Sequence, residues 1–484
     1  MSDTVKQLQP VALWSHFADL NAVPRPSKKE ERVIAFMKAF GASLNLPTLV
    51  DDAGNVIIKK PATAGMEDRQ TVVLQSHLDM VHQKNSDTVF DFDTQGIDMY
   101  VDGDWVKARG TTLGADNGIG VAAIMALLSS SDIPHPAIEA LFTIDEETGM
   151  TGALALKGGL LQGNILLNLD TEEDTELTIG CAGGIDITAQ GSYEAVTPQA
   201  GKAFRISVKG LTGGHSGGDI HLGRGNANKL MNRILFTLHK IAGIEIGSID
   251  GGSLRNAIPR ESVAVIATSV SAEPQLQAAF AELCETLKAE YKTTDPALEI
   301  SIATAEMPVQ VLPAPLQDKL LRAVYACPNG IYRMSPDIQG LVQSSNNLAR
   351  VLVQDGTYTF QCLTRSSVNS EKEDLANAIA GAFELMGATI GMGNSYPGWE
   401  PKPESTIVLL MSKLYEEMFG SKAHVNAVHA GLECGILGTN YPQMQMISFG
   451  PNIYGAHSPD ERAQISSVQK FWRFLLETLK QIPA

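Results

Sequence analysis

Histidine, aspartate and glutamate recur in this chain at the points where apolar runs end. The positions, each at the end of such a run or in a glycine-rich turn after one, are His77, Asp79, Asp116, Glu146, Glu147, Asp170 and His457. Helical patterns separate several of these runs, and strands that alternate with helices favour a mostly parallel, doubly wound α/β sheet. In such sheets, functional residues gather outside the carboxyl ends of the strands. We therefore expect these side chains to meet at one edge of the sheet.

The length of the chain and a change in its pattern indicate more than one domain. A chain of 484 residues is longer than one hydrophobic core serves, so two or three domains are expected. After Gly191 the pattern becomes one of alternating strands with two helical stretches, and helices alternating with strands return after a loop rich in glycine and proline. If His457 belongs to the same site as Asp170, the first domain is discontinuous. We predict one domain of residues 1–190 and 397–484, interrupted by an inserted α+β lid or dimerisation domain of residues 191–396.

The charge, the cysteines and the start of the chain narrow the choice of partner and compartment. The net charge of −17 disfavours nucleic acid and anionic membranes as partners, and no apolar run reaches the roughly 20 residues that span a bilayer. No basic segment followed by an apolar one opens the chain, so no signal peptide is expected. Five scattered cysteines without a Cys-x-x-Cys pair suit a reducing cytosol and argue against a thiolate zinc site. We expect a cytoplasmic protein.

The spacing of the polar residues suits a pair of metal ions. Residues two apart on a strand share a face, so Asp79 can accept the second ring N–H of His77 and orient that ring. Glu146 and Glu147 are adjacent and point in different directions, so one can bind metal while the other serves as a base. The predicted arrangement has His77 and Asp170 on one ion, Glu147 and His457 on the other, and Asp116 between them.

The residue types in this arrangement also indicate which metal is expected. Two ions that share a carboxylate would lie roughly 3.5–4 Å apart and share a water. Imidazole and carboxylate ligands without thiolate suit zinc, for which manganese or cobalt could substitute. Each motif alone has an ordinary explanation, because a His-x-Asp pair is often a packing or surface pair and an acidic run is often solvated. Their common position at strand ends and glycine-rich turns is what favours a metal site.

Seven short motifs resemble those of one known family. They are SHLDMV, GADNG, DEETG, LNLDTEE, GGHSGG, LRNAIP and GAHSPDE, and they are similar to the motifs of the di-zinc amidohydrolase and exopeptidase family, which includes aminoacylases, carboxypeptidase G and carnosinases. The similarity extends over almost the whole chain. It implies the same assignments as the spacing: Asp116 bridges two zinc ions, Asp79 orients His77, and Glu146 is the general base.

The resemblance also implies residues that contact a substrate. His215, in the glycine-rich GGHSGG segment, would donate a hydrogen bond to the developing oxyanion, either within one chain or across a dimer interface. Asn256 and Arg365 would hold the carbonyl and the C-terminal carboxylate of the substrate, since the arginine fork matches a carboxylate. A homodimer is expected from the same resemblance. Glu433, in the GLECG segment near the return to the first domain, is a separate candidate, as a partner for the free amine of the substrate.

The expected activity is the metal-dependent hydrolysis of dipeptides with a free N-terminus, such as β-alanyl-histidine, through a zinc-bridged water and a glutamate base. An N-acyl amino acid deacylase or a tripeptidase with the same metal chemistry is the alternative, and the need for a free amine distinguishes them. A non-catalytic metal-binding scaffold is disfavoured, because both the metal ligands and the base Glu146 are present. Small dipeptides are the expected partners.

Overall fold

The computed structural model describes residues 2–199 and 201–484. In chain order the helices are α1 (Ser2–Val5), α2 (Val11–Asn21), α3 (Glu31–Ser43), α4 (Ala115–Ser129), α5 (Thr151–Ala155), α6 (Ala227–Ala242), α7 (Glu273–Tyr291), α8 (Ala314–Ala326), α9 (Asn369–Glu384), α10 (Thr406–Phe419), α11 (Glu433–Asn440) and α12 (Ile465–Gln481), with a 3-10 helix at Ile220–Leu222. The strands are β1 (Thr48–Val50), β2 (Val56–Lys60), β3 (Val72–His77), β4 (Met99–Asp102), β5 (Trp105–Ala108), β6 (Ile138–Thr143), β7 (Ile165–Asn168), β8 (Glu176–Cys181), β9 (Gly183–Ser192), β10 (Lys202–Lys209), β11 (Glu245–Gly251), β12 (Ser262–Thr268), β13 (Glu299–Ala305), β14 (Gly330–Met334), β15 (Val342–Gln354), β16 (Thr357–Ser366), β17 (Thr389–Tyr396), β18 (His424–Val428), β19 (Gln445–Ser448), β20 (Ile453–Tyr454) and β21 (Arg462–Gln464).

These elements form two compact units. The first comprises Met1–Gly180, Trp399–Ala427 and Leu432–Ala484, and the second comprises Cys181–Gly398 and Val428–Gly431. The sequence pattern predicts residues 181–190 in the first domain, but they belong to the second unit because β9 pairs with β16 along its whole length. The segment Val428–Gly431 also belongs to the second unit, which no sequence pattern indicated.

The first unit contains an eight-stranded sheet in the order β1-β2-β6-β3-β7-β19-β8-β18. The neighbouring pairs β6–β3, β3–β7 and β7–β19 are parallel, whereas β1–β2, β2–β6 and β19–β8 are antiparallel. The predicted α/β class is therefore confirmed, with parallel strands at the centre of the sheet. A smaller sheet in the order β20-β21-β5-β4 belongs to the same unit.

The central strands are apolar because both of their faces are covered. Every residue of β3, β6 and β7 is buried, as is usual for parallel strands with helices on both sides. Residues of α5 and α11 share an apolar cluster with these strands, and α4 packs along β3. The register sets His77 beside Thr143 and Gln75 beside Asn168. The carboxyl ends of the three strands therefore finish at the same edge of the sheet.

Ser27 and Glu30 have the Ser-x-x-Glu spacing of a capping box, which predicts that a helix begins here, but α3 begins differently. No side chain caps the first turn of α3. The Ser27 hydroxyl instead donates to Asp79 Oδ2 at 2.8 Å, and Glu30 Oε1 accepts the backbone N–H of Lys28 at 2.8 Å. The capping-box prediction is therefore wrong, and the serine hydroxyl instead serves the buried carboxylate of Asp79, which requires hydrogen-bond donors.

The second unit is α+β, as its sequence pattern predicts. Its strands follow the order β13-β10-β12-β11-β15-β16-β9-β17, with β14 paired to β15, and the pairs are antiparallel. Buried side chains of α6, α7, α8 and α9 join those of the sheet in one apolar cluster. The role of this unit as a lid or dimerisation domain stays a prediction.

The cysteines are buried in the protein interior, and they do not belong to the metal-binding groups found among the described residues. All five are buried, and the metal-binding groups found in residues 2–199 and 201–484 contain none of them. Cys327 and Cys362 lie in the core of the second unit, with their sulfur atoms 3.9 Å apart. Separately, none of the described helices combines the length and the apolar character needed to cross a membrane.

Candidate functional site

The carboxyl edge of the central strands collects the predicted metal-binding side chains. His77 is the last residue of β3, Glu146 and Glu147 follow β6, and Asp170 follows β7. Potential ligand atoms lie within 4.8 Å of one another in three groups, which are His77–Asp116–Asp170, His77–Glu146–Glu147 and Asp116–Glu147–His457. The five residues predicted to bind metal thus lie together, although His457 is far from the others in sequence.

Asp116 is the member that the first and third groups share. Its Oδ1 lies 3.1 Å from His77 Nε2, and its Oδ2 lies 3.4 Å from His457 Nε2. The second contact of His77 is with Asp170 Oδ1 at 3.4 Å, and that of His457 is with Glu147 Oε2 at 2.9 Å. One oxygen of Asp116 therefore faces each group, as a bridging carboxylate requires.

One predicted ligand, His457, and one residue beside the ligands, Asp145, adopt a backbone conformation that is rare for residues other than glycine. Asp145, which precedes the glutamate pair, has φ of 54°, and His457 has φ of 66°. A left-handed conformation at residues other than glycine costs free energy and is concentrated at functional sites. At Asp145 the surrounding structure holds the conformation, because the carboxylate accepts hydrogen bonds from Thr148 and Thr151.

The charges of the site depend strongly on one another. Burial alone would lower the pKa of His77, but the charge of Asp170 and the bond to Asp116 raise it well above its usual value. Bonds to Asp116 and Glu147 raise the pKa of His457 to about 11. Burial alone would raise the pKa of Asp116, but its bonds to His457 and His77 hold it well below its usual range. The carboxylates thus draw positive charge to the imidazoles, which is what a site suited to cations does.

The donor set fits metal ions. It offers two imidazoles and four carboxylates and no thiolate, which is a combination that suits zinc, manganese or cobalt. Glu147 Oε1 is buried and has no hydrogen-bond partner among the described residues. A buried carboxylate oxygen without a partner is costly, and a bound cation would satisfy it.

Asp79 contacts the ring of His77, as predicted, and it also binds the backbone of the neighbouring glutamates. Its Oδ1 lies 3.3 Å from His77 Nδ1, as the spacing predicts for an orienting carboxylate. The same carboxylate accepts the backbone N–H groups of Glu146 at 3.0 Å and Glu147 at 3.3 Å, and the Ser27 hydroxyl at 2.8 Å. Asp79 therefore ties the histidine to the backbone of the glutamate pair.

The surroundings of Glu146 favour the protonated form of its carboxyl group. Burial raises its pKa well above the usual value, and the neighbouring charges of Asp170, Glu433 and Glu147 raise it further, against the opposing effect of His77. A carboxyl group with a raised pKa can both accept and return a proton near neutral pH.

Glu433 lies in the first unit, behind the strand ends. Its side chain is buried, and its Oε2 accepts hydrogen bonds from Gln75 Nε2 at 2.6 Å and Thr143 Oγ1 at 2.7 Å. Its Oε1 is buried without a partner among the described residues. Burial raises the pKa of Glu433 to about 7. The carboxylate therefore has one oxygen fixed and one that a ligand could use.

The other three predicted substrate residues lie together in the second unit. His215 pairs with Ala257 across an isolated bridge, and Ser216 N donates to the backbone oxygen of Asn256 at 2.8 Å. Arg365 Nη2 lies 3.5 Å from His215 Nε2. The structure thus brings His215, Asn256 and Arg365 into one cluster, in which the Asn256 and His215 side chains are exposed.

Arg365 is a buried cation. Its side chain donates to Tyr396 OH at 2.9 Å and to Ser216 Oγ at 3.4 Å, and the residue is only 5% exposed. No carboxylate of the described second unit lies within ion-pairing distance of it. A buried guanidinium without a counter-ion is a favourable site for a carboxylate.

Sequence reasoning missed several residues around both clusters. His429 is buried in the second unit and bonds to Ser345 Oγ at 2.7 Å, and burial together with the charge of Arg365 lowers its pKa to about 3. Gln75 and Thr143, which hold Glu433, sit on buried strands. A single polar residue in an apolar segment forms no recognisable motif, so the contacts of these residues become apparent only in the folded structure.

Comparison with known proteins identifies the class of protein. Residues 73–481 match the model of the peptidase family M20/M25/M40. The chain belongs to this family, whose members are metal-dependent, and it is a metallopeptidase. Its predicted relationship to the di-zinc exopeptidases is thereby confirmed.

Two similar proteins cover almost the whole chain. The cytosol non-specific dipeptidase of Escherichia coli (strain K12) is 42% identical over 481 residues, which are 99% of this chain and 99% of that protein. The crystal structure of aminoacylhistidine dipeptidase from Vibrio alginolyticus has 42% sequence identity and a TM-score of 0.94, and covers 100% of this chain and 99% of the other. Aminopeptidase PepT from Bacillus cereus ATCC 10987, with 15% identity, a TM-score of 0.58 and coverage of 99% and 100%, shares the fold.

Proposed function

We propose that this metallopeptidase is a dipeptidase that hydrolyses substrates with a free amine and a free carboxylate. The observation that carries the proposal is the shared position of Asp116 between two groups of potential ligands. The likeness over the full chain to two proteins named as dipeptidases supports the substrate size. A cytoplasmic location follows the name of the first of these relatives.

Two zinc ions are the proposed cofactors, and cobalt or manganese could replace them. When bound, such ions supply Lewis-acid activation of a water molecule and of the peptide carbonyl. The proposed ligands are His77 and Asp170 for one ion, Glu147 and His457 for the other, and Asp116 for both.

Glu146 is the proposed general base. Its raised pKa suits it to take a proton from the attacking water and to return that proton to the departing amine. Asp79 keeps the base in place, because it accepts the backbone N–H of Glu146 while it contacts the ring of His77. One carboxylate can therefore serve both proton transfers.

The two ends of the substrate are the proposed targets of Glu433 and Arg365. The unpartnered Oε1 of Glu433 would accept a hydrogen bond from the substrate ammonium, and buried Arg365 would pair with its C-terminal carboxylate. Asn256 and His215 would contact the scissile carbonyl, with His215 supplied by the same chain or by the partner in a homodimer. A peptide with a free amine and a free C-terminal carboxylate carries the charges that these two side chains would bind.

A C-terminal histidine is the proposed preference, with β-alanyl-histidine as the test substrate. This preference follows the name of the relative from Vibrio alginolyticus. The first experiment strips the purified protein with a chelator, reloads it with zinc and measures cleavage of β-alanyl-histidine, its N-acetylated form and a free tripeptide. Metal-restored cleavage of the free dipeptide alone is expected.

The other outcomes of this assay contradict the proposal in different ways. Cleavage of the N-acetylated form would indicate a deacylase, and faster cleavage of the tripeptide would indicate a tripeptidase. The variant Glu433→Gln should raise the KM for the free dipeptide at least tenfold, because hydrogen bonds to charged groups contribute about 1.5–3 kcal/mol. The matched control is Glu416→Gln on the exposed face of α10, which should leave KM unchanged.

A further inference from the structure

The loop that carries Asp116 is held by a carboxylate from another part of the chain. Glu461 Oε2 accepts the backbone N–H groups of Leu113 at 2.6 Å and Gly114 at 2.9 Å. Its Oε1 accepts those of Ala115 at 2.7 Å and Asp116 at 3.1 Å. Glu461 is only 3% exposed. Four consecutive N–H groups that end at one buried carboxylate leave the loop little freedom to move.

A buried arginine binds a backbone oxygen of the same loop, whereas Glu461 binds the N–H groups. Arg25 donates to the backbone oxygen of Gly114 at 2.5 Å, and to the backbone oxygens of Leu78 and Asp79 at 3.0 Å each. Its guanidinium is 1% exposed and also contacts Asn21. Arg25 therefore joins the Asp116 loop to the segment that follows His77.

The glycines near Arg25 leave the space that this side chain needs. A Cβ atom on Gly114 would lie 2.5 Å from Arg25 Nη2, and one on Gly118 would lie 2.6 Å from the same nitrogen. Gly114 also has φ of 70°, which strongly favours glycine. The two glycines of the GADNG motif thus leave room for the arginine, and Gly114 also allows the backbone conformation of the turn.

We propose that Arg25 and Glu461 are positioning residues that hold Asp116 midway between the two groups of metal ligands. Glu461 follows His457 by four residues, so the pair connects the segments that supply His77, Asp116 and His457. Neither residue touches the substrate; each acts through the backbone beside Asp116. The inference rests on the metal centre of the proposed function, but it does not depend on which peptide is cleaved.

Other metal sites indicate how much metal affinity the loss of these positioning residues should cost. Charge-assisted hydrogen bonds are roughly twice as strong as neutral ones. Loss of the partners that orient a metal ligand typically costs 10–100-fold in metal affinity. A glutamine at position 461 would have one acceptor oxygen and would turn its amide N–H groups toward backbone donors. Glu461→Gln should therefore displace the loop while conserving side-chain volume.

The experiment measures the zinc affinity of the full-length chain by competition with a chromophoric chelator. Glu461→Gln is expected to bind at least one of two zinc ions 10–100-fold more weakly than the unmodified protein. Asp460→Asn is the matched control, since it removes the same charge from the neighbouring exposed position, and its affinity should be unchanged. Thermal unfolding of the metal-free proteins is recorded in parallel, because a helix-capping role alone would lower Tm without weakening zinc binding.

Zinc affinities within threefold of the unmodified protein for both ions would overturn the proposal, whatever the change in Tm. If Glu461→Gln does not fold, Arg25→Lys is judged by the same criterion, since it keeps the charge but loses the fork that reaches three backbone oxygens. The readout is independent of dipeptide cleavage. If the unmodified protein binds zinc but cleaves no dipeptide, that result therefore counts against the proposed function and not against this inference.

Discussion

At neutral pH and above, the buried carboxylate of Glu433 should lower the free energy of unfolding, and replacement by glutamine should reveal by how much. Burial raises the pKa of this carboxyl from its ordinary value near 4.5 to about 7, and each pKa unit corresponds to about 1.4 kcal/mol. Because the folded state holds the proton more tightly than the unfolded chain, the carboxyl favours folding below pH 4.5. That contribution is lost as the pH rises toward 7, and it amounts to about 3 kcal/mol in total.

The glutamine variant should lack this pH dependence. A neutral amide does not titrate, so Glu433→Gln should gain about 2 kcal/mol relative to the unmodified protein between pH 5.5 and pH 8.5. Any constant cost of burying the amide N–H groups cancels in this comparison, since it does not vary with pH. The gain would show that burial of the Glu433 carboxylate is unfavourable at neutral pH.

Urea unfolding of the chelator-treated proteins at the two pH values measures the effect, with Glu416→Gln as the control for loss of an exposed carboxylate. The quantity of interest is the difference in unfolding free energy between variant and parent, and how it changes with pH. A difference that stays constant to within 0.5 kcal/mol, an amount on the order of an ordinary surface substitution, would refute the reasoning that Glu433 is a strained buried acid.

Three further perturbations test the remaining assignments. Glu146→Gln should retain zinc but lower kcat about 10²–10⁴-fold, as loss of a general base does; activity within tenfold of the parent would exclude that role. Asp116→Ala should lose both metal ions, whereas Asp132→Ala, on an exposed loop, should lose neither; metal analysis showing two ions in Asp116→Ala would disprove a bridge. Arg365→Lys should raise the KM for β-alanyl-histidine more than for its C-terminal amide, since the lysine cannot bind a carboxylate bidentately; equal changes would show that Arg365 does not read the carboxylate.

Much of the fold was predictable from local patterns. The apolar run that ends at His77 forms β3, the turn residues Asp52–Asn55 lie between the paired strands β1 and β2, and the helical pattern of Ala227–Ala242 forms α6. These elements follow from short-range rules, because strand and helix periods and turn residues act over a few positions. The domain boundary at residue 190 was less accurate, because it depends on which distant strand β9 pairs with.

The supporting residues of the site were not predictable in the same way. Ser27 is spaced as a helix cap but donates to Asp79, and Glu461, the last residue of the GAHSPDE motif, accepts hydrogen bonds from four backbone N–H groups. Arg25 and Gln75 carry no motif at all. Their roles arise from partners far away in sequence, which a local pattern does not specify.

The sequence by itself determined the kinds of chemistry that are available: imidazoles and carboxylates at strand ends, an α/β sheet to hold them and a family to which they belong. The tertiary structure decided which oxygen of Asp116 faces which histidine, which carboxylates share a buried site, and which backbone groups hold them. The physical reason is that residue types and strand periods are local properties, whereas distances, burial and mutual charge arise only when segments separated by hundreds of residues pack together.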